Sequence, residues 1–220
     1  MKIVECKDIV KTFVGQDKPV LNGVSLTLDS GCFVSIMGRS GSGKSTLLRV
    51  ICGLIPADGG TVFVAGHEVE KLSTRQKSKF RSSVIGIVFQ DGNLVDEFNV
   101  EDNILTPLYI AGAKVDKEYY KRLLKLTELD DMKKKMPNQL SGGQRQKVAI
   151  ARALIAKPKV LFADEPTGSL DSKSELQIMD LFKLVNKEFG ISIIQVTHSK
   201  ICAGAGTRII RINDGRIEDK

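Results

Sequence analysis

One glycine-rich segment, residues 38–45 (GRSGSGKS), constrains the fold of this chain more than any other feature. It has the spacing G-x-x-x-x-G-K-S and stands between an apolar segment typical of a buried strand, residues 32–37, and a helix-like segment, residues 46–51. Glycines at these positions let successive backbone N–H groups point into one concavity that fits a polyphosphate. The N-terminus of the following helix adds donors and the positive end of its dipole. The segment therefore predicts a strand–loop–helix unit of an α/β fold that binds a nucleotide.

Two side chains of this loop have the chemistry that a nucleoside triphosphate requires. The Lys44 ammonium can reach the β- and γ-phosphates, and the Ser45 hydroxyl can ligate Mg²⁺. The residues that we expect to contact the nucleotide here are Gly38, Arg39, Ser40, Gly41, Ser42, Gly43, Lys44, Ser45 and Thr46.

Composition sets only broad limits on function. The 220 residues suit one large domain or two small lobes with a sizeable core. The net charge of +7 is compatible with nucleic acid, an anionic lipid surface or a nucleotide, and it does not discriminate among them. The one run of lysines, residues 133–135, is typical of a solvated helix end.

We expect a protein of the cytosol. No apolar run approaches the roughly 18 residues of a membrane-spanning helix, and residues 1–7 lack the apolar region of a signal peptide. The four cysteines are scattered and form no C-x-x-C pair, which favours reduced packing residues over disulfides or a zinc site.

The N-terminal third carries short alternating segments that predict an antiparallel sheet beside the nucleotide-binding core. These segments are residues 2–10, 24–28 and 62–64. Phe13 follows the first of them, and two interpretations stay open for its ring: a plain core residue, or a face on which adenine stacks.

The middle of the chain predicts a helical lobe inserted into the α/β core. A buried strand, residues 84–89, ends at Gln90, and helical patterns replace strands over residues 91–157. Asp116 is a candidate N-cap for a helix to Leu126, and Ser141 for a helix to Ala156.

Acidic side chains and a histidine follow two further predicted core strands. Residues 160–163 are apolar and lead directly into Asp164, which can hold Mg²⁺, and Glu165, which can orient or deprotonate water. A helix over residues 172–189 and a strand over 191–196 then lead to His198. Because ligands gather at the carboxyl ends of strands in α/β sheets, we expect these side chains to meet the glycine-rich loop.

Residues 140–144 (LSGGQ), at the start of a predicted helix, make the pattern specific. With the motifs above, the chain resembles the ATP-binding cassette family, the nucleotide-binding subunits of ABC transporters, over essentially its whole length. The resemblance implies a Walker A loop at 38–45, a Walker B strand ending at Asp164, and Glu165 as catalytic carboxylate. By the same resemblance Gln90 is the Q-loop glutamine and a Mg²⁺ ligand, His198 the switch histidine, and Phe13 the adenine-stacking aromatic. The signature residues and the D-loop acid complete the implied nucleotide contacts: Ser141, Gly142, Gly143, Gln144 and Asp171.

The resemblance also implies an organisation and partners. The fold is a P-loop NTPase core with an N-terminal antiparallel β subdomain (1–90 and 158–220) and an inserted all-helical subdomain (91–157), in one nucleotide-binding domain over 1–220. The cofactors are ATP and Mg²⁺. The partners are a second cassette, identical or different, in a head-to-tail dimer, and an integral membrane permease subunit that places the chain peripherally on the cytoplasmic side of the membrane. No nucleic-acid partner is expected.

Within the family, residues 163–171 (ADEPTGSLD) resemble the group that contains the macrolide and lipoprotein exporters and the cell-division and antimicrobial-peptide-resistance cassettes. Three departures stand out. Arg39 stands where Pro or Ser is usual, Ser199 follows His198 where the family often has Asp, and residues 202–206 (CAGAG) are glycine-rich where relatives continue a helix. We expect the last segment to be loosely packed.

The function implied is an ATPase that powers a membrane exporter. The alternative is the same ATPase working a membrane complex that moves no substrate, as cell-division relatives do. A soluble cassette acting on DNA or ribosomes is disfavoured, since the chain has a single cassette and no heptad-rich insertion. Coupling to the membrane subunit is expected from residues 91–103, whose apolar members either pack under the lobe or form an exposed patch: Leu94, Val95, Phe98 and Val100.

Overall fold

The computed structural model describes residues 1–218, which form two β-sheets with helices packed around them. The strands of the described chain are β1 (Lys2–Lys11), β2 (Leu21–Asp29), β3 (Phe33–Met37), β4 (Gly59–Val64), β5 (His67–Glu68), β6 (Ile85–Val88), β7 (Val160–Asp164), β8 (Ser192–Thr197), β9 (Arg208–Asn213) and β10 (Arg216–Glu218). Its helices are α1 (Lys44–Ile51), α2 (Thr74–Ser83), α3 (Val100–Ala111), α4 (Lys117–Thr127), α5 (Gly142–Leu154), α6 (Ser172–Phe189) and α7 (Lys200–Ala203), with 3₁₀ turns at Asp130–Met132 and Pro137–Gln139.

The larger sheet has six strands in the order β10-β9-β3-β8-β7-β6. All neighbours in it are parallel except β10, which pairs antiparallel with β9. Strands β7 and β8 are buried at every residue because α1 covers one face of the sheet and α5 and α6 cover the other. Burial on both faces explains their nearly continuous apolar sequence. The carboxyl ends of β3, β6, β7 and β8 meet at one edge, which is where the site is built.

The smaller sheet is antiparallel, in the order β2-β1-β4-β5. Strand β2 alternates as its sequence predicts: Val24, Leu26 and Leu28 are buried, whereas Ser25 and Thr27 are exposed. The buried residues join α1 in a common hydrophobic core, so the loop after β1, which carries Phe13, lies beside the glycine-rich loop. The predicted α/β core with an antiparallel β subdomain is confirmed.

The predicted helical lobe is confirmed as α3, α4 and α5. Asp116 caps α4 through a hydrogen bond from Tyr119 N (3.0 Å), and Ser141 caps α5. A feature that sequence reasoning missed holds the segment before α3. The buried Asn103 amide accepts from Val95 N (2.8 Å) and donates to Val95 O (3.0 Å) and Phe98 O (2.8 Å), which fixes the loop to the helix.

The expectation of a loosely packed segment at residues 202–206 is wrong. Residues 200–203 form α7, in which Cys202 and Ala203 are buried. A Cβ atom on Gly206 would lie 2.8 Å from Ser35 Oγ and 3.0 Å from Phe33 O, so only glycine fits this close to β3. The small residues allow tight packing here.

Helix α2 and the short strands β5 and β10 were not expected. Helix α2 (TRQKSKFRSS) is polar except for Phe80, the one residue of the helix that is buried, so it has no apolar periodicity to detect. Its signal lies in the capping box of Ser73 and Gln76, in which Ser73 N donates to Gln76 Oε1 (2.8 Å). Among the helices described, none is long and apolar enough to cross a bilayer.

Candidate nucleotide-binding site

The backbone of the glycine-rich loop follows from steric requirements at two glycines. Gly43 has a φ of 97°, and a Cβ there would lie 2.6 Å from Val20 O. A Cβ on Gly38 would lie 2.3 Å from Ile212 O. Larger residues at these positions would displace the loop from β2 and β9, so the glycines set the curve that directs backbone N–H groups inward.

Lys44 begins α1 and points its side chain back into this curve. Its Nζ donates to Gly38 O and Arg39 O, each at 2.9 Å, and the residue is only 6% exposed. In the described chain these carbonyl oxygens are its hydrogen-bond partners, and no carboxylate neutralises it. A buried cation held only by carbonyls is suited to an incoming polyanion.

Ser45 and Asp164 bring two oxygen ligands together from opposite ends of the sequence. Ser45 Oγ donates to Asp164 Oδ1 at 2.6 Å, and Arg49 Nη2 lies 4.0 Å from Asp164 Oδ2. Beside them is a cavity of about 270 Å³, which Gln90 and Glu165 also line. Hydroxyl and carboxylate oxygens are ligands that Mg²⁺ prefers, so the donor set fits that ion.

Glu165 and His198 are in contact across the ends of β7 and β8. The distance from His198 Nδ1 to Glu165 Oε2 is 2.5 Å, and the histidine side chain is 67% exposed, whereas that of Glu165 is 18% exposed. Glu165 has a φ of 49°, a left-handed conformation that costs a non-glycine residue about 1–2 kcal/mol. A hydrogen bond from Glu165 N to Val196 O (3.0 Å) helps to hold it.

Except for Asp164 and Arg49, which line the smaller cavity, these groups share one cavity of about 760 Å³. Its lining includes Phe13, Gln16, Lys44, Gln90, Glu165 and His198. Phe13 is 40% exposed, so its ring is not a core residue but an available face on the cavity wall. The volume and shape suit a nucleoside triphosphate.

A polar contact that the sequence does not predict holds the loop that carries Phe13. Asp58 accepts from Lys11 Nζ (2.7 Å) and from Thr12 N (2.6 Å), and Lys11 Nζ lies 5.8 Å from the centroid of the Phe13 ring. The hydrogen bond from Lys11 lowers the pKa of Asp58, and the one from Thr12 adds to this. The residues lie far apart in sequence, so no local pattern signals the contact. Gln16 also lines the cavity, and no sequence motif around it predicts this position.

Comparison with known proteins decides the family. A family model described as "ABC transporter" matches residues 21–168. The chain belongs to the ABC transporter family. Membership identifies it as an ATP-binding cassette with the ATPase activity of that family.

Individual relatives agree with this assignment. The cassette is 43% identical over 99% of its length to the macrolide export ATP-binding/permease protein MacB of Syntrophobacter fumaroxidans, of which it covers 31%. It is 38% identical over 99% of its length to the bacitracin export ATP-binding protein BceA of Halalkalibacterium halodurans, of which it covers 87%. The solved dimer of the ATP-binding cassette MJ0796 bound to ADP and Pi superposes with a TM-score of 0.88 at 40% identity, covering 99% of this chain and 97% of that one.

The cassette's signature segment lies outside the cavity. In the described chain the cavity lining includes neither Asp171 nor any residue of 141–144. Ser141 Oγ accepts from Gln144 N (3.2 Å), and Ser141 N donates to Gln144 Oε1 (2.9 Å), so these two residues form a capping box at the start of α5. The single chain therefore presents a helix N-terminus that its own loop does not use.

Two further predicted residues lie beside the signature or the cavity. Asp171 accepts from Ser174 N and Lys173 N, both at 3.0 Å, and the bond from Ser174 N is the largest cause that lowers its pKa. Gln90 packs over Gly168, where a Cβ would lie 3.0 Å from Gln90 Nε2. Gln90 thus bridges the cavity and the segment that leads to Asp171.

Proposed function

We propose that this cassette is the ATP-hydrolysing subunit of an exporter-type membrane complex and that two cassettes close head to tail around ATP. One observation carries the proposal. Lys44, Ser45, Asp164, Glu165 and His198 line one edge of the sheet, whereas the capped N-terminus of α5 lies outside their cavity. The names of MacB and BceA as export ATP-binding proteins, and the dimeric state of MJ0796 with ADP and Pi, support it.

Different residues of the cavity act on different parts of the nucleotide. Phe13 offers a face for adenine, and Lys44 with the loop amides binds the β- and γ-phosphates. Ser45 and Asp164, with Gln90 beside them, would hold Mg²⁺, which when bound neutralises charge on the phosphate oxygens. Glu165 takes a proton from the attacking water, and His198 positions the water or the γ-phosphate.

The signature segment completes the site of a second copy. The Gly142 and Gly143 amides at the start of α5, together with the Ser141 hydroxyl, form a phosphate site of the kind found at helix N-termini. Within one domain over 1–220, the helical subdomain (91–157) carries this segment to the nucleotide held by the α/β core (1–90 and 158–220) of the partner. ATP then joins the two cassettes, and hydrolysis releases them.

A complementation experiment tests the composite site. Ser141→Arg fills the phosphate site with a long side chain, and Lys44→Ala removes the phosphate cation, so each variant alone should be inactive. Mixed, they form some dimers in which one intact loop faces one intact signature. We expect partial recovery of ATPase activity on mixing, measured as phosphate release.

The chain offers a matched control for Ser141→Arg. Ser73 caps α2 with the same capping box, to Gln76, but lies at no phosphate site. Ser73→Arg should therefore lose a helix cap and keep its ATPase activity. Full activity of Ser141→Arg by itself would contradict a signature that acts on the partner's nucleotide.

Contact with the membrane subunit is proposed for residues 91–103, which would hold the cassette peripherally on the cytoplasmic side. The structure buries some apolar residues of this segment and exposes others. Val100 is buried and Leu94 is half-buried against the lobe, whereas Phe98 is 40% exposed. Since Asn103 fixes the backbone of the loop, the Phe98 ring is presented on an ordered surface.

Phe98→Ala is expected to reduce the stimulation of ATPase activity by the membrane subunit and to leave basal hydrolysis nearly unchanged. The ring touches no phosphate-binding group, so its loss should weaken only the contact between proteins. The measurement compares ATPase rates with and without the reconstituted membrane subunit. Leu184→Ala is the control because Leu184 is similarly exposed (43%) but lies on α6. Normal stimulation of Phe98→Ala would remove Phe98 from the contact.

A further inference from the structure

A cluster of three side chains, Thr167, Glu175 and Cys202, joins the two segments that follow Glu165 and His198. Glu175 Oε1 accepts a hydrogen bond from Cys202 Sγ (3.1 Å) and one from Thr167 Oγ1 (3.4 Å). Cys202 Sγ and Thr167 Oγ1 are themselves 3.0 Å apart. Neither Glu175 nor Cys202 belongs to a motif of the nucleotide site, and none of the three lines the nucleotide cavity.

Thr167 ties the cluster to the catalytic acid. The residue is 6% exposed and lies in the turn that begins at Glu165, in which Gly168 N donates to Glu165 O (3.0 Å). Because Glu165 is held in a left-handed conformation, its side chain direction depends on how this turn is fixed.

Cys202 ties the cluster to the histidine. It is fully buried in α7, the short helix that starts directly after His198 and Ser199. Ser199 Oγ accepts from Cys202 N (3.3 Å), and Gln195 Nε2 donates to Cys202 O (2.7 Å). The exposed His198 ring contacts Glu165, and the chain runs from His198 directly into α7, so the position of α7 affects where the ring stands.

The protonation states suit this arrangement. Burial raises the pKa of the Cys202 thiol to about 11, so the thiol stays protonated as a donor. Burial also acts to raise the pKa of Glu175, but hydrogen bonds from Ser199, Cys202 and Thr167 and the charge of His198 outweigh it and hold that pKa below its ordinary value. Glu175 is therefore an anionic acceptor that these donors share.

We propose that Glu175 is a positioning residue for ATP hydrolysis, which holds Glu165 and His198 in register through Thr167 and Cys202. The inference rests on the proposed roles of Glu165 and His198. Its physical content is that one carboxylate from α6 fixes two loops that come from different strands. Loss of that carboxylate leaves the direct contacts between the loops, Thr167 with Cys202 and Glu165 with His198, but removes the acceptor that fixes both loops to α6.

Glu175→Ala is expected to lower kcat about tenfold while KM for ATP changes less than about twofold, because small misplacements of catalytic groups act on the reaction step. The control is Glu188→Ala. Glu188 lies on the same helix and also accepts a hydrogen bond, from Arg122 Nη2 (2.6 Å), but at the end remote from the site. Equal losses in the two variants would indicate a general effect on α6 and would overturn the proposal.

Two substitutions at Cys202 separate hydrogen bonding from packing. Cys202→Ser keeps a donor for Glu175, whereas Cys202→Val fills the buried volume and removes the donor. We expect Cys202→Ser to retain most of the wild-type kcat and Cys202→Val to show the same loss as Glu175→Ala. Wild-type activity of Cys202→Val would show that the link to Glu175 has no function.

The second readout does not depend on hydrolysis. The chain has two histidines, so selective labelling gives two imidazole signals by NMR. In Glu175→Ala without nucleotide, the His198 signal should move or broaden, whereas the signal of His67, which lies in the other sheet with its ring 5.8 Å from Phe80, should not. An unchanged His198 signal would overturn the proposal. If the His198 signal moves but Glu175→Ala and Glu165→Gln both hydrolyse ATP normally, then Glu165 is not the catalytic base. The proposal would then fail, because it rests on that role.

Discussion

Glu165→Gln is expected to bind ATP like the wild-type cassette and to hydrolyse it about 10²–10⁴-fold more slowly, the usual contribution of a positioned base. The amide is nearly the same size as the carboxylate, so the left-handed turn and the hydrogen bond to Val196 O remain. What is lost is the ability to accept a proton from water. The rate is measured as single-turnover phosphate release.

The variant should also accumulate as an ATP-bound dimer, since the step that reopens the pair is blocked. Gel filtration with Mg-ATP should therefore show a shift to twice the monomer mass, which ADP does not produce. Glu188→Gln, on α6 far from the cavity, serves as the control and should hydrolyse ATP normally. Wild-type turnover by Glu165→Gln would mean that the base lies elsewhere.

The edge of the sheet that carries the candidate site could be predicted from sequence, because it obeys a topological rule. The segment before the glycine-rich loop and those before Gln90, Asp164 and His198 are apolar runs of strand length. Parallel strands in such a sheet deliver their next residues to a common edge. As this rule leads one to expect, Ser45 and Asp164 lie at the same edge and are joined by a hydrogen bond. Periodicity and strand ends are local features, so a single sequence reveals them.

Contacts between distant polar residues could not be predicted in this way. Asp58 holds the Phe13 loop through Lys11 and Thr12, and Asn103 holds the segment around Phe98. Neither residue lies in a motif or a periodic pattern. Their partners are backbone groups or a lysine, which occur throughout every sequence and so give no signal. Their partners are known only once the fold has placed them together.

The prediction for residues 202–206 was wrong for a related reason. Glycine has low helix and strand propensity, which suggested loose packing. In the fold the missing side chain of Gly206 allows the segment after α7 to lie close to β3, and the buried Cys202 thiol donates to the half-buried Glu175. Small residues indicate both flexible loops and tight contacts, and only the neighbouring elements distinguish the two cases.

Gln144 shows the limit of carrying a motif over by position. The signature resemblance assigns it to the nucleotide, whereas in the described chain its amide caps Ser141 and its backbone N–H donates to the Ser141 hydroxyl. These roles are compatible if the capping box holds Ser141 and the start of α5 ready for the partner's phosphate. A capped helix would not first have to order its N-terminus in order to bind the phosphate that we propose for it.

Lys44→Ala is expected to abolish measurable ATP hydrolysis and to weaken ATP binding severely. Lys44 Nζ is the cation enclosed by the loop, held by Gly38 O and Arg39 O, and a triphosphate placed there would lose its main charge-assisted hydrogen bonds. Arg39 does not replace it, because Arg39 is exposed and lines the neighbouring cavity beside β9, not the cavity that Lys44 lines. Binding is measured by titration with a fluorescent ATP analogue and turnover by phosphate release.

The control for this substitution is another lysine that is largely covered but lies outside the site. Lys147 on α5 forms an ion pair with Glu128, and its side chain is 15% exposed. Lys147→Ala should hydrolyse ATP at a rate close to that of the wild type, which shows that loss of a covered lysine is not in itself inactivating. Lys44→Ala should melt close to the wild type without nucleotide and lose the stabilisation that ATP gives, because a ligand raises stability only to the extent that it binds the folded state. A normal ATP-induced rise in melting temperature for Lys44→Ala would place the phosphates away from residues 38–45 and would remove the foundation of the proposed site.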